Sequence, residues 1–127
     1  MDKLKFIKEQ MDILAVPYEF DEWTSDVKYP YFVGEITEDE PTTEDGCECS
    51  TFILTGFNRG SEGVLLRLEE IKAKVKKHFH PIYGLRGTTE SGAIAVYYGG
   101  AFYVPTNEAG LKRIQINLII KEWKGDI

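Results

Sequence analysis

Leu4, Ile7, Met11 and Leu14 recur at helical spacing, while Lys5, Lys8, Glu9 and Asp12 fill the remaining positions. One apolar stripe against one charged face predicts an amphipathic helix over about residues 3–14. Pro17 stops it, because the residue before a proline is pushed out of the helical region. The pattern then changes period. Tyr18-Glu19-Phe20 reads as a short strand, Asp21 to Lys28 as a polar turn, and Tyr29 to Ile36 as an aromatic and β-branched strand. Glu38 to Gly46 holds five carboxylates, one proline and no apolar residue, which is a solvated loop between strands. From Cys47 to Phe57 neither alternate face is cleanly polar, which predicts a central strand.

Helical spacing returns at Val64, Leu68, Ile71, Val75 and Phe79, with Lys72, Lys74, Lys76 and Lys77 on the rest of the surface. Ser61 is placed to cap this helix, Glu62 suits its positive end and His78 its negative end, and Pro81 ends it. Ala93 to Tyr98 reads as a strand, Gly99-Gly100 as a hairpin turn and Ala101 to Val104 as the returning strand. A turn over Asn107 to Gly110 leads into Leu111 to Trp123. That segment places Ile114, Ile116, Leu118 and Ile120 on one face and Arg113, Gln115, Asn117 and Ile119 on the other. The predicted order is α-β-β-β-α-β-β-β. It makes a single α+β domain over residues 1–127, a mostly antiparallel sheet with two amphipathic helices packed on it.

Composition supports a packed core: the chain is 43% hydrophobic, well above the range of disordered segments. No run approaches the ~20 apolar residues of a membrane helix, and no secretory signal is visible at residues 1–15. A soluble protein of the cytoplasm is expected. The net charge of −6 is unevenly divided. Residues 1–58 carry 4 Lys/Arg against 14 Asp/Glu, whereas residues 59–127 carry 11 against 7. Such a division suits self-association through complementary surfaces, and the acidic total opposes nucleic-acid binding.

Motifs for chemistry are absent. Cys47 and Cys49 fall on one strand face, at or beyond the reach of a relaxed disulfide, and read as packed thiols. His78 and His80 have no acidic cluster beside them in sequence and read as helix-terminal polar residues, so no metal site is expected. Gly60-Ser61-Glu62-Gly63 lacks the spacing of a nucleophile elbow. Gly84-Leu85-Arg86-Gly87 lacks the residues that grip phosphate. No catalytic residue and no cofactor is assigned. The 7 Tyr, 7 Phe and 2 Trp exceed what a core this size hides, and tyrosine favours interfaces. The interface candidates are the acidic residues Glu38, Asp39, Glu40, Glu44 and Asp45 together with Tyr97, Tyr98 and Tyr103.

Read in order, several segments carry a family pattern. They are the leading helix, the Val16-Pro17-Tyr18 strand, and the Tyr29-Pro30-Tyr31-Phe32-Val33-Gly34-Glu35 strand. A polar loop, the Ser50 to Phe57 strand, the Gly60-Ser61 turn and the helix Leu66-Arg67-Leu68-Glu69-Glu70-Ile71 follow. Over roughly residues 3–80 this order resembles the small tail-terminator and tail-completion proteins of long-tailed phages and prophages, some of which join heads to tails. The acidic loop is longer than the loop of that family. The resemblance implies a structural subunit that assembles as a ring, commonly a hexamer, at the head-proximal end of the tail tube. Its partners would be further copies of itself, the tail-tube protein and the head connector, in a virion assembled in the bacterial cytoplasm. Neither catalysis nor a cofactor, specific nucleic acid or membrane is implied. The acidic loop would line the bore, dock on a basic patch of the tube or connector, or serve only as a solvated tip. The alternative to a tail subunit is a small non-catalytic adaptor that binds one protein through its aromatic surface. A small ligand-binding domain or enzyme would need convergent polar groups, and the chain groups none at recognisable spacing.

Overall fold

A computed structural model describes residues 2–20, 29–38, 47–60 and 63–124, apart from the side chains of Asp2 and Lys124. The elements follow the order α-β-β-β-α-β-β-β. They are α1 (Asp2–Ile13), β1 (Tyr18–Phe20), β2 (Tyr31–Glu38), β3 (Cys47–Arg59), α2 (Val64–His78), β4 (Leu85–Thr89), β5 (Gly92–Val104) and β6 (Leu111–Lys124). The strands make one six-stranded sheet, β1-β2-β3-β6-β5-β4, parallel only between β1 and β2. The long β3 and β6 lie at the centre, as the two-sided burial of β3 anticipates. The fold is α+β.

Both helices pack on the same face of this sheet. Ile7 and Met11 of α1, Leu68, Ile71 and Val75 of α2, and Phe79 just after it form one buried cluster with Phe32, Phe52, Leu54, Ile114, Ile116, Leu118 and Ile120. Two strand glycines let the large rings in. A Cβ on Gly56 would sit 2.1 Å from the Phe32 ring, and one on Gly34 would sit 2.3 Å from the Phe52 ring. Any side chain there would collide with buried rings that have nowhere to go. Each aromatic therefore lies across a glycine of a neighbouring strand.

Helix ends are handled by the backbone. After α1 the Val16 N–H donates to Met11 O at 3.0 Å and the Ala15 N–H to Asp12 O at 3.1 Å, with Ala15 at φ 56°. This is a Schellman cap built on alanine rather than glycine. The cap of α2 is Gly63, at φ 67° and without a side-chain hydrogen bond, in place of the expected Ser61. Ser61 and Glu62 lie outside the described residues, as do the Asp21 to Lys28 turn and most of the acidic loop.

Two further expectations are corrected. Gly99-Gly100 is not a hairpin turn. β5 runs unbroken from Gly92 to Val104, and the pair forms a bulge where the register with β6 shifts between Tyr98 and Gly100. Pairing along the whole of β6 holds the strand together, and Gly100 at φ 115° absorbs the extra residue. The hairpin turn lies earlier, at Glu90-Ser91, because Leu85 to Thr89 forms an edge strand that was not anticipated.

Candidate functional site

Side chains alternate across a strand, so filling one face of the sheet leaves the other to be accounted for. Among the described residues neither helix packs on that second face. Register places Tyr31, Phe57, Arg113 and Val104 in one row across β2, β3, β6 and β5. At the far end Cys49, Lys121, Ala95 and Arg86 make a row across β3, β6, β5 and β4. Between them lie apolar and amide groups, including Ile53 and Asn117, with Phe102 51% and Ile119 38% exposed. The face is cationic at both ends, and between them Glu35 shares the row of Ile53 and Asn117.

Aromatic rings carry the cations. Tyr31 stacks on Phe57 with centroids 5.0 Å apart and an interplanar angle of 20°, and Tyr29 leans on Tyr31 at 5.5 Å. The Arg113 guanidinium lies 5.6 Å from the Phe57 centroid, and that of Arg59 lies 5.7 Å from Tyr29. At the other end Lys121 Nζ lies 5.4 Å from the Tyr97 ring. That ring covers Gly84, where a Cβ would meet it at 2.7 Å. Such contacts are worth only about 0.5–1 kcal/mol at exposed sites. Arg59 also hydrogen-bonds Glu108, and this bond, with one to Tyr29, holds its guanidinium above the ordinary range. Burial, then the neighbouring Tyr29, raises the Tyr31 phenol. Among the described residues Arg86, Arg113 and Lys121 have no carboxylate partner and the buried Arg113 Nε has no acceptor.

The expected interface residues are not brought to one surface. Tyr97 lies on the bare face. Tyr98 and Tyr103 lie on the helix side, where Lys76 sits 5.8 Å from the Tyr98 ring and the Tyr103 hydroxyl donates to Glu69 at 2.6 Å. Burial, then the Glu69 bond, raises the Tyr103 phenol, while Lys72 and then Tyr103 lower the Glu69 carboxyl. Glu38 also turns to the helix side, 3.5 Å from Lys3 Nζ. Asp39, Glu40, Glu44 and Asp45 lie outside the described residues. Arg113, Lys121 and Phe57 were missed as site residues. The alternation of β6 marks Arg113 as outward, but which side chains surround it depends on register.

The helix side offers no reaction centre among the described residues. His78 Nε2 meets Gln10 Oε1 at 2.7 Å, and burial lowers the His78 pKa. His80 Nδ1 accepts from the backbone N–H groups of Ile82 and Tyr83, so the two imidazoles serve separate structural contacts. On the other face Cys47 and Cys49 bring their Sγ atoms to 3.9 Å. A groove of about 400 Å³ between α1 and β4 is lined by Lys5, Phe6, Glu9, Thr88, Thr89 and Glu90. It holds no nucleophile–base pair. No described helix is long and apolar enough to cross a membrane. No protein-family model and no curated protein matches the chain.

Proposed function

We propose that the chain is a structural subunit of a phage or prophage tail, a tail-terminator or tail-completion ring protein that caps the tail tube and contributes to head–tail joining. The observation that carries this reading is the sheet face on which neither helix packs, whose aromatics, and whose cations without a carboxylate partner among the described residues, suit a surface made for another protein. The element order of the resemblance points the same way. In this role the helix-covered face keeps the subunit folded, and the bare face is available for assembly. Catalysis and cofactors have no part in it.

The test mixes purified chain with tail tubes assembled in its absence. Capped tubes of defined length in electron micrographs, with rings in native mass spectra, are expected. A chain that never binds tubes and never forms rings overturns the reading. A stoichiometric complex with one cellular protein would instead identify an adaptor.

A further inference from the structure

We infer that the cationic side of the bare sheet face binds the acidic half of a second copy of this chain. The inference rests on the ring-forming reading and names the surface that would make the contact.

Strand order separates the charges of this face. The strands of the acidic half, β1 to β3, occupy one side of the sheet, and β4 to β6 occupy the other. On the bare face Glu19 and Glu35 fall in β1 and β2, whereas Arg86, Arg113 and Lys121 fall in β4 and β6. Arg113 and Lys121 stand eight residues apart on one strand, about 26 Å at ~3.3 Å per residue. Among the described residues their contacts are ring faces, 5.6 and 5.4 Å away, with no carboxylate. Arg86 pairs in register with Ala95, which pairs with Lys121, so these cations flank one another across β5.

These cations are therefore oriented but not neutralised. Pre-ordered guanidinium and ammonium groups over aromatic faces lose little entropy when a carboxylate arrives. A nucleic acid would meet the same cations, but a chain of net charge −6 repels a polyanion at long range. A second copy adds carboxylates to the two this face already carries, because its first 58 residues hold 14 Asp/Glu against 4 Lys/Arg. A contact between the basic side of one copy and the acidic side of the next uses two different patches. Such a heterologous contact propagates, and it closes into a ring when the rotation permits.

The experiment is sedimentation velocity on the full chain over a concentration series, at low and high salt. The variant is Arg113→Glu with Lys121→Glu, whose fold is checked by circular dichroism and thermal melts. Wild type should associate at low salt and dissociate at high salt. The double variant should lose association by about tenfold or more. Because it keeps its own acidic half, adding it to wild type should shorten wild-type assemblies in proportion to dose. Arg113→Lys with Lys121→Arg keeps the charges and should associate as wild type does. Association unchanged in the double variant overturns the inference, although rings built through another face would leave the proposed function standing. A wild type that stays monomeric at its highest soluble concentration also overturns it, and if that monomer still caps tubes, the proposed function survives. A salt-resistant two-fold dimer that the double variant does not disturb overturns both. Anisotropy of a labelled single-stranded oligonucleotide supplies the last arm. Binding to it, abolished by the double variant while self-association persists, would assign the face to nucleic acid instead.

Discussion

The two faces of one sheet treat the same residue types in opposite ways. Leu118 and Ile119 are neighbours in β6, yet Leu118 is fully buried beneath the helices and Ile119 is 38% exposed on the bare side. Cations differ as sharply. On the covered side Lys3 is 7% exposed and lies 3.5 Å from Glu122, itself 6% exposed. On the second face Arg113 and Lys121 rest on aromatic rings, with no carboxylate beside them among the described residues. A fold needs its charges matched where water is excluded. It has no such need where water reaches. The covered face is explained by stability. On the second face Phe102 and Ile119 stay exposed, and burial beneath the helices does not account for them.

The comparison breaks if the neighbours in β6 respond alike. Leu118→Ala should cost about 2–5 kcal/mol, the transfer term plus the cavity left in a packed core. Ile119→Ala should cost under about 1 kcal/mol, since much of its side chain stays in water in both states. Denaturant melts of the two variants decide between these outcomes, and equal losses would mean that something covers the second face. The cations give a smaller contrast. Lys3→Gln leaves Glu122 buried without its counter-charge and should cost about 2 kcal/mol. Arg113→Gln should stay within about 0.5 kcal/mol, because it loses only a partly exposed ring contact. The same melts read both.

These contrasts were only half legible beforehand. The periods of α1, α2 and β6 were read correctly, because each is a local pattern that burial enforces residue by residue. The apolar set Ile114, Ile116, Leu118 and Ile120 is fully buried as its alternation requires. The edge strand β4 was missed because Leu85 to Thr89 contains a glycine and no sustained alternation, and it is held by pairing with β5. Gly99-Gly100 looked like a turn because two glycines suit one, and only the continuous partner β6 makes them a bulge. The composition of the bare face was least legible. Arg113 beside Phe57 and Tyr31 is a product of strand order β2-β3-β6, which no local pattern encodes. Tyr98 and Tyr103 were grouped with Tyr97 by proximity in sequence, but alternation and the bulge divide them between faces.

Titration sharpens the comparison along another axis. The covered side contains His78, whose folded pKa is lowered from the ordinary 6.5 by burial against α1. The unfolded chain therefore takes up this proton before the folded one does. Stability from this group is complete above pH 6.5 and is lost as pH falls through that value toward the lower folded pKa. His78→Gln can keep the contact with Gln10 and removes the titration. Melts across this window should show wild type losing more stability than the variant on acidification, whereas parallel profiles would mean that His78 is solvated.

The smallest effect concerns the Schellman turn after α1 and carries the opposite sign. Ala15 sits at φ 56°, a conformation in which its Cβ crowds the backbone at a cost of roughly 1–2 kcal/mol. Glycine removes that crowding. It also adds freedom to the unfolded chain, which returns about 0.5–1 kcal/mol of the gain. The two hydrogen bonds of the cap, from Val16 to Met11 O and from Ala15 to Asp12 O, need no side chain at this position. Ala15→Gly should therefore raise stability by about 0.5–1 kcal/mol, seen as a higher denaturant midpoint with an unchanged slope. The site is exposed and belongs to the helix-covered side, so self-association should not change. A gain in stability with altered association would couple the two faces, and the division of labour between them would fail. A loss of stability would show that Ala15 is not held in the left-handed conformation in solution.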